Sequence, residues 1–206
     1  EFLAEQVKQQ QPLYGVSTGF GSNADKLLGA HHIRSSNKTD ETLLEELQRN
    51  LIITHAVCVG EPFSSEVVRA MMVIRINTLM RGHSGIRVET LQALTSMLNA
   101  GIVPIVPQLG SVGASGDLTP LSYIAGALVG ERDVYDQGQI VPVSAVYAEK
   151  GMQALVLRPK EGLALMNGTA VMTALACQAF ARADYLLQLA TRITALNVLA
   201  LQGNPE

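Results

Sequence analysis

Ala114-Ser115-Gly116 is a tripeptide that can turn itself into an electrophile. The amide nitrogen of Gly116 can attack the carbonyl carbon of Ala114 and close a five-membered ring. Loss of two waters, one of them carrying off the Ser115 hydroxyl, leaves an exocyclic methylidene on an imidazolone. The residue types suit that closure. Gly116 has no Cβ and reaches backbone angles closed to other residues, Ala114 adds little bulk, and Ser115 supplies the hydroxyl that leaves. The tripeptide lies within Gly110-Ser-Val-Gly-Ala-Ser-Gly-Asp-Leu-Thr-Pro120. Alone it is a common string, and Asp117 also reads as the N-cap of a following helix. A short motif needs its context.

Three further blocks supply that context: Tyr14-Gly-Val-Ser-Thr-Gly-Phe-Gly21, Gly82-His-Ser-Gly-Ile-Arg87 and Lys160-Glu-Gly-Leu-Ala-Leu-Met-Asn-Gly-Thr169. With these blocks in this order, the chain resembles the aromatic amino acid ammonia-lyase family over nearly its whole length. That family includes the histidine, phenylalanine and tyrosine ammonia-lyases and the related aminomutases. The resemblance implies an autocatalytic 4-methylidene-imidazol-5-one group (MIO) formed from Ala114, Ser115 and Gly116. It makes Tyr14 the base that removes a β-proton. A phenol ordinarily titrates near pH ~10, so such a base needs surroundings that favour its anion. Asn167 then lies beside the ring and the substrate carboxylate, where a neutral amide can donate without adding charge. Asp117 would assist ring formation. The plain alternatives are a packing role for Tyr14 and helix caps for Asn167 and Asp117.

Thr54 and His55 occupy the position that resembles the family's selectivity pair. Thr54-His55 is similar to the Ser-His pair of many histidine ammonia-lyases and some tyrosine-acting members, and departs from the Phe-Leu pair of typical plant phenylalanine ammonia-lyases. Leu121-Ser-Tyr-Ile-Ala-Gly126 and Gln202-Gly-Asn-Pro-Glu206 look more like the phenylalanine branch, so the substrate stays open. A histidine on an apolar helix face is also often a packing residue. Arg87 and His83 read as structural support. His31 and His32 are adjacent, with no further ligand at metal spacing, so no metal is expected. No nucleotide fingerprint is present.

The expected reaction is non-oxidative loss of ammonia from an aromatic L-amino acid, giving a trans-α,β-unsaturated acid, in a homotetramer. An aromatic amino acid 2,3-aminomutase uses the same ring and is the first alternative. A non-enzymatic helical scaffold that keeps the motif is the second.

Composition agrees with helices. Of 206 residues, 48% are hydrophobic and only 4% aromatic, a balance rich in small and aliphatic side chains. A net charge of −3 gives no basic footprint for nucleic acid. No Lys/Arg cluster marks a membrane surface. Cys58 and Cys177 each fall in apolar helical patterns and read as buried thiols, which fits a reducing cytoplasm. The apolar run from Leu186 to Leu201 is interrupted by Gln188, Arg192, Thr194 and Asn197 and reads as no membrane span. The chain begins at Glu1 and stops at Glu206 without terminating signals, and is expected to be the N-terminal portion of a longer subunit. Lacking the family's downstream tyrosine, arginine and glutamine, it is not expected to be fully active alone.

The fold class expected is mainly α, with a few short strands. An MIO-bearing domain over residues 1–160 leads into the start of a central long-helix bundle at 161–206. The periodicity predicts a polar helix over 1–11, irregular chain over 23–38, and a helix from Asp40 to about Val59 with Gly60 as its stop. Further helices are predicted from Ser64 to about Met80, Val88 to Asn99, Leu118 to Val129 and Ala145 to Lys150. Ile102 to Pro107 must be extended because each proline disfavours helix in its predecessor. A hairpin turns at Gly138. After Pro159 a helical region breaks near Asn167-Gly168 and then runs for about 30 residues, apolar almost all round, as buried or interface helices are.

Overall fold

Local signals start and stop the helices that carry the site. The computed structural model describes residues 40–204, together with residues 5, 6, 9, 13–16, 18, 19 and 21. The predictions for 1–11 and 23–38 therefore fall largely outside the described residues. Helix α1 spans Asp40–His55 and is followed by strand β1, Val59–Pro62. Helix α2 spans Ser65–Leu79, and the Ser64 hydroxyl accepts its Val67 N–H at 3.5 Å. Helix α3 spans Val88–Asn99. It ends in a Schellman motif: Ile102 N–H reaches Met97 O and Gly101 N–H reaches Leu98 O, with Gly101 at φ 72°. Strands β2 (Val103–Pro104) and β3 (Pro107–Leu109) follow, then helix α4, Leu118–Leu128. Strands β4 (Asp133–Asp136) and β5 (Gln139–Pro142) form the predicted hairpin. Its turn residues Gln137 and Gly138 both have positive φ, as a two-residue type I′ turn requires. Helix α5 (Val143–Lys150), the short helix α6 (Glu161–Met166) and the long helix α7 (Ala170–Ala200) complete the order.

The strands make an antiparallel β1–β3 pair and an antiparallel sheet ordered β2-β4-β5. Proline at 62, 104, 107 and 142 sits on strands with a free edge, where a missing N–H is tolerated. The core lies among α2, α3, α4 and α6, where Met71, Met72, Leu94, Leu121, Leu128 and Met166 are all but inaccessible. Helix α6 packs against α1 and α4, and α7 packs against α2.

Two expectations need correction, the end of α1 and the setting of the two cysteines. Helix α1 stops at His55, short of Val59, because the next residues enter the β1–β3 pair, with Val59 opposite Leu109 and Gly60 at φ 87° inside the strand. Pairing has overridden helical periodicity. Cys58 is buried, but in the loop before β1. Cys177 is exposed on α7. Helix α7 itself is covered only at its start, by way of Ala170, Val171 and Ala174, while Phe180 and Leu199 stand exposed. The stretch Glu161–Ala200, α6 and α7 together, has the length and the mean hydropathy, 1.4, of a membrane-crossing segment by composition alone, and a third of that apolar window is buried.

Candidate active site

The loop that carries the tripeptide runs from β3 to α4. Ala114 and Ser115 are exposed, and Gly116 is half-buried at φ 122°, a backbone conformation that side-chain-bearing residues rarely adopt. A Cβ on Gly116 would lie 2.5 Å from Asn167 Oδ1 and 3.0 Å from Gly168 N. The break between α6 and α7 is therefore pressed directly against the tripeptide. Next in the chain, Asp117 N–H donates to Gly168 O at 2.8 Å.

Asp117 is buried, and its carboxylate is fully engaged. Oδ1 accepts the Ser111 hydroxyl at 2.8 Å, and Oδ2 accepts the Met172 N–H at 3.0 Å. Ser111 Oγ in turn accepts Gly113 N–H at 3.2 Å. The capping expectation thus needs revising. Asp117 makes no side-chain bond to its own helix α4; instead its charge sits at the first turn of α7, where a helix N-terminus favours an anion. This arrangement draws the Gly110–Asp117 loop, α4 and α7 together. At the base of the loop, Gly110 lies against Cys58, leaving no space there for a side chain, and Tyr123 Oη donates to Cys58 O at 3.1 Å. Burial pushes the Cys58 thiol upward, which keeps it protonated at neutral pH.

Asn167 ends α6 in an extended conformation, φ −86° and ψ 99°. Its carbonyl accepts Arg75 Nη2 at 2.9 Å. Helix α6 begins at Glu161, which is 1% exposed and accepts from Arg87 N–H, Nε and Nη2, from the Thr90 hydroxyl and from Arg158 N–H, all within 3.0 Å. Arg87 is thus the structural support that was expected, whereas His83 is exposed. Burial alone would raise the Glu161 carboxyl. The donors from Arg87, Arg158 and Thr90 outweigh it and hold the group below the ordinary carboxylate range. A carboxyl depressed on folding stabilises fully above its unfolded pKa, near pH ~4.3, and the contribution disappears as pH falls through the lower folded value. Glu161→Gln should cost about 3 kcal/mol at neutral pH, because Arg87 and the backbone donors lose a buried charge partner. Urea unfolding at pH 7 and pH 4 should show that the variant has lost this acid-sensitive part of the stability. Neither Glu161, Arg75 nor Ser111 was singled out in the sequence. The available signal was a lone charge within an apolar helical run, Met71-Met-Val-Ile-Arg-Ile76, for Arg75.

Tyr14 lies in the turn Tyr14–Val16 with 54% of its surface exposed, and its Oη accepts Gly21 N–H at 3.2 Å. Thr18 braces the same turn by accepting Gly15 N–H at 3.3 Å and donating to Gly19 O at 3.1 Å. Ser17 and Phe20 of this block lie outside the described residues. Thr54 and His55 form the last turn of α1. Thr54 Oγ1 donates to Asn50 O, and His55 Nδ1 is 2.8 Å from Leu51 O. A carbonyl only accepts, so Nδ1 carries the proton and Nε2 is left for other contacts. The hydrogen bonds that fix Asp117 involve Ser111, Gly168 and Met172, and Asn167 Oδ1 crowds Gly116; Tyr14, Thr54 and His55 make hydrogen bonds to residues near them in the chain. His31 and His32 lie outside the described residues. Among those described, no cluster of three or more His, Cys, Asp or Glu residues is placed to hold a metal ion.

Comparison with known proteins covers nearly the whole chain. The family model for aromatic amino acid lyase matches residues 1–206. The chain is 46% identical over 201 residues to the histidine ammonia-lyase of Geobacillus thermodenitrificans, covering 98% of this chain and 38% of that protein. It is 47% identical over 195 residues to the tyrosine 2,3-aminomutase of Chondromyces crocatus, covering 95% and 35%. The crystal structure of histidine ammonia-lyase from Trypanosoma cruzi superposes with a TM-score of 0.86 at 38% identity, covering 98% of this chain and 37% of that one. The chain therefore spans little more than a third of the length of these relatives. Sequence, helical architecture and the ordered blocks around residues 14, 82, 115 and 167 lead to one assignment: this chain belongs to the aromatic amino acid lyase family.

Proposed function

We propose that the full-length protein is an aromatic L-amino acid ammonia-lyase, releasing ammonia and a trans-α,β-unsaturated acid, with Ala114, Ser115 and Gly116 condensed into MIO. The observation that carries this reading is the wedge of Asn167 and Gly168 against Gly116. Gly116 already occupies a φ that ring closure can use. A carboxamide oxygen stands beside it, and Asp117, Ser111 and Met172 fix the following residue. These residues fit the group and would hold it. Once formed, the ring supplies an electrophilic carbon that makes ammonia a competent leaving group.

The chain's own residues do the rest. Tyr14 Oη takes the substrate β-proton, and the Gly21 N–H that donates to this oxygen is the kind of partner a phenolate accepts. The Asn167 amide donates to the α-carboxylate. Thr54 and His55 meet the substrate ring. Ser115 is open to solvent in the single chain, so exclusion of water falls to the remainder of the subunit and to neighbouring subunits in a cytoplasmic homotetramer. Helix α7, with Arg182, Asp184 and Arg192 along it, is read as the opening of the central bundle at 161–206.

A 2,3-aminomutase is the second reading. It is favoured by the near-equal identity to an aminomutase, 47%, and to a histidine ammonia-lyase, 46%. The test is to give the full-length protein Phe, Tyr and His separately and to follow both ultraviolet absorbance and amino-acid products. An unsaturated acid accumulating from one of them supports the lyase, a β-amino acid points to the aminomutase, and neither product from any of the three would leave only a scaffold role.

A further inference from the structure

A six-residue helix leaves most of its peptide groups unpaired at one end or the other and is unstable by itself. Helix α6 is such a helix, and two side chains from other helices supply four bonds at its ends. At its start, Gln48 of α1 accepts Gly162 N–H at 3.1 Å. At its end, Arg75 of α2 donates to three carbonyls: Nη2 to Ala164, Nε to Leu165 at 3.0 Å, and Nη2 to Asn167 at 2.9 Å. Arg75 is 3% exposed, and these bonds are to backbone carbonyls of a helix C-terminus, which attract a cation. Burial pushes its pKa down to about 10, still charged at neutral pH. Gly168 completes the fit, since a Cβ there would overlap the guanidinium. The same dipeptide also lies against Gly116.

We infer that Arg75 is a positioning residue: by gripping the carbonyls of Ala164, Leu165 and Asn167, it sets the Asn167 carboxamide against Gly116 and so governs ring formation and turnover. This rests on the lyase reading above. Arg75 touches none of the reacting groups and acts through Asn167.

The experiment is a double-mutant cycle in the full-length protein, combining Arg75→Met or Arg75→Lys with Asn167→Ala. Intact mass of the folded fraction reports loss of two waters, and kcat and KM are measured with the substrate that the wild type turns over. With Asn167 present, Arg75→Met should lower kcat about a hundredfold, as small misplacements of a site do, and should leave part of the folded protein with both waters. Arg75→Lys should recover part of each loss. With Asn167→Ala in place, the same Arg75 substitutions should change kcat by less than about threefold, because residues acting through one another are not additive. If Arg75→Met does not fold, Arg75→Lys alone completes the cycle, with about a tenfold drop expected only when Asn167 is present. Full loss of two waters with undiminished kcat, or equal losses in both backgrounds, would overturn the inference and leave the lyase reading intact. A wild type that neither loses two waters nor acts on any amino acid would remove that reading, and this inference with it.

Discussion

Full-length protein carrying Ser115→Ala should fold normally and show no measurable elimination, a fall in kcat of at least about a thousandfold against enzymes that accelerate by a million or more. Alanine lacks the hydroxyl that leaves as the second water, so no methylidene carbon can form. The substitution is clean because it removes one oxygen and adds no bulk, and no helix or strand of this chain depends on Ser115, which lies in the loop between β3 and α4. Activity and stability can then be read apart. Equal urea midpoints combined with lost turnover would place the defect in chemistry, while undiminished turnover would exclude any mechanism that needs the Ser115 hydroxyl.

Tyr14→Phe is expected to lower kcat about a thousandfold while changing KM little, since general acid–base groups contribute on this scale and the aromatic ring is retained. The geometry makes a packing explanation easy to separate. Tyr14 is 54% exposed in this chain, and its Oη accepts the Gly21 N–H. Removing that oxygen leaves no large cavity, so thermal stability should scarcely move. Wild-type kcat in Tyr14→Phe would reassign the residue to the structure of its turn.

Much of this arrangement was legible in the sequence, for identifiable reasons. Prolines at 104 and 107 forced extended chain, Gly138 placed the hairpin, and Gly101 ended α3 because each constrains the backbone locally. The tripeptide and Asn167 were recognisable as motifs, and the structure brings them together at Gly116. The parts that were not legible depend on distant partners. The end of α1 is set by pairing of Val59 with Leu109, fifty residues away in the chain. Asp117 looked like a local cap, yet its carboxylate belongs to Ser111 and to the first turn of α7. The partners of Glu161 and Arg75 come from other elements, and folding buries these charges at the two ends of α6. Cys177 fell in an apolar helical run whose outer face this chain alone does not cover.

The most direct test of the central claim is the covalent state of residues 114–116 in the active, full-length protein, read by intact mass and by electron density. The account predicts a polypeptide lighter than its sequence by two waters, with Ala114, Ser115 and Gly116 joined in one planar ring beside Asn167. An active protein with the full sequence mass and three separate peptide units at those positions would contradict it.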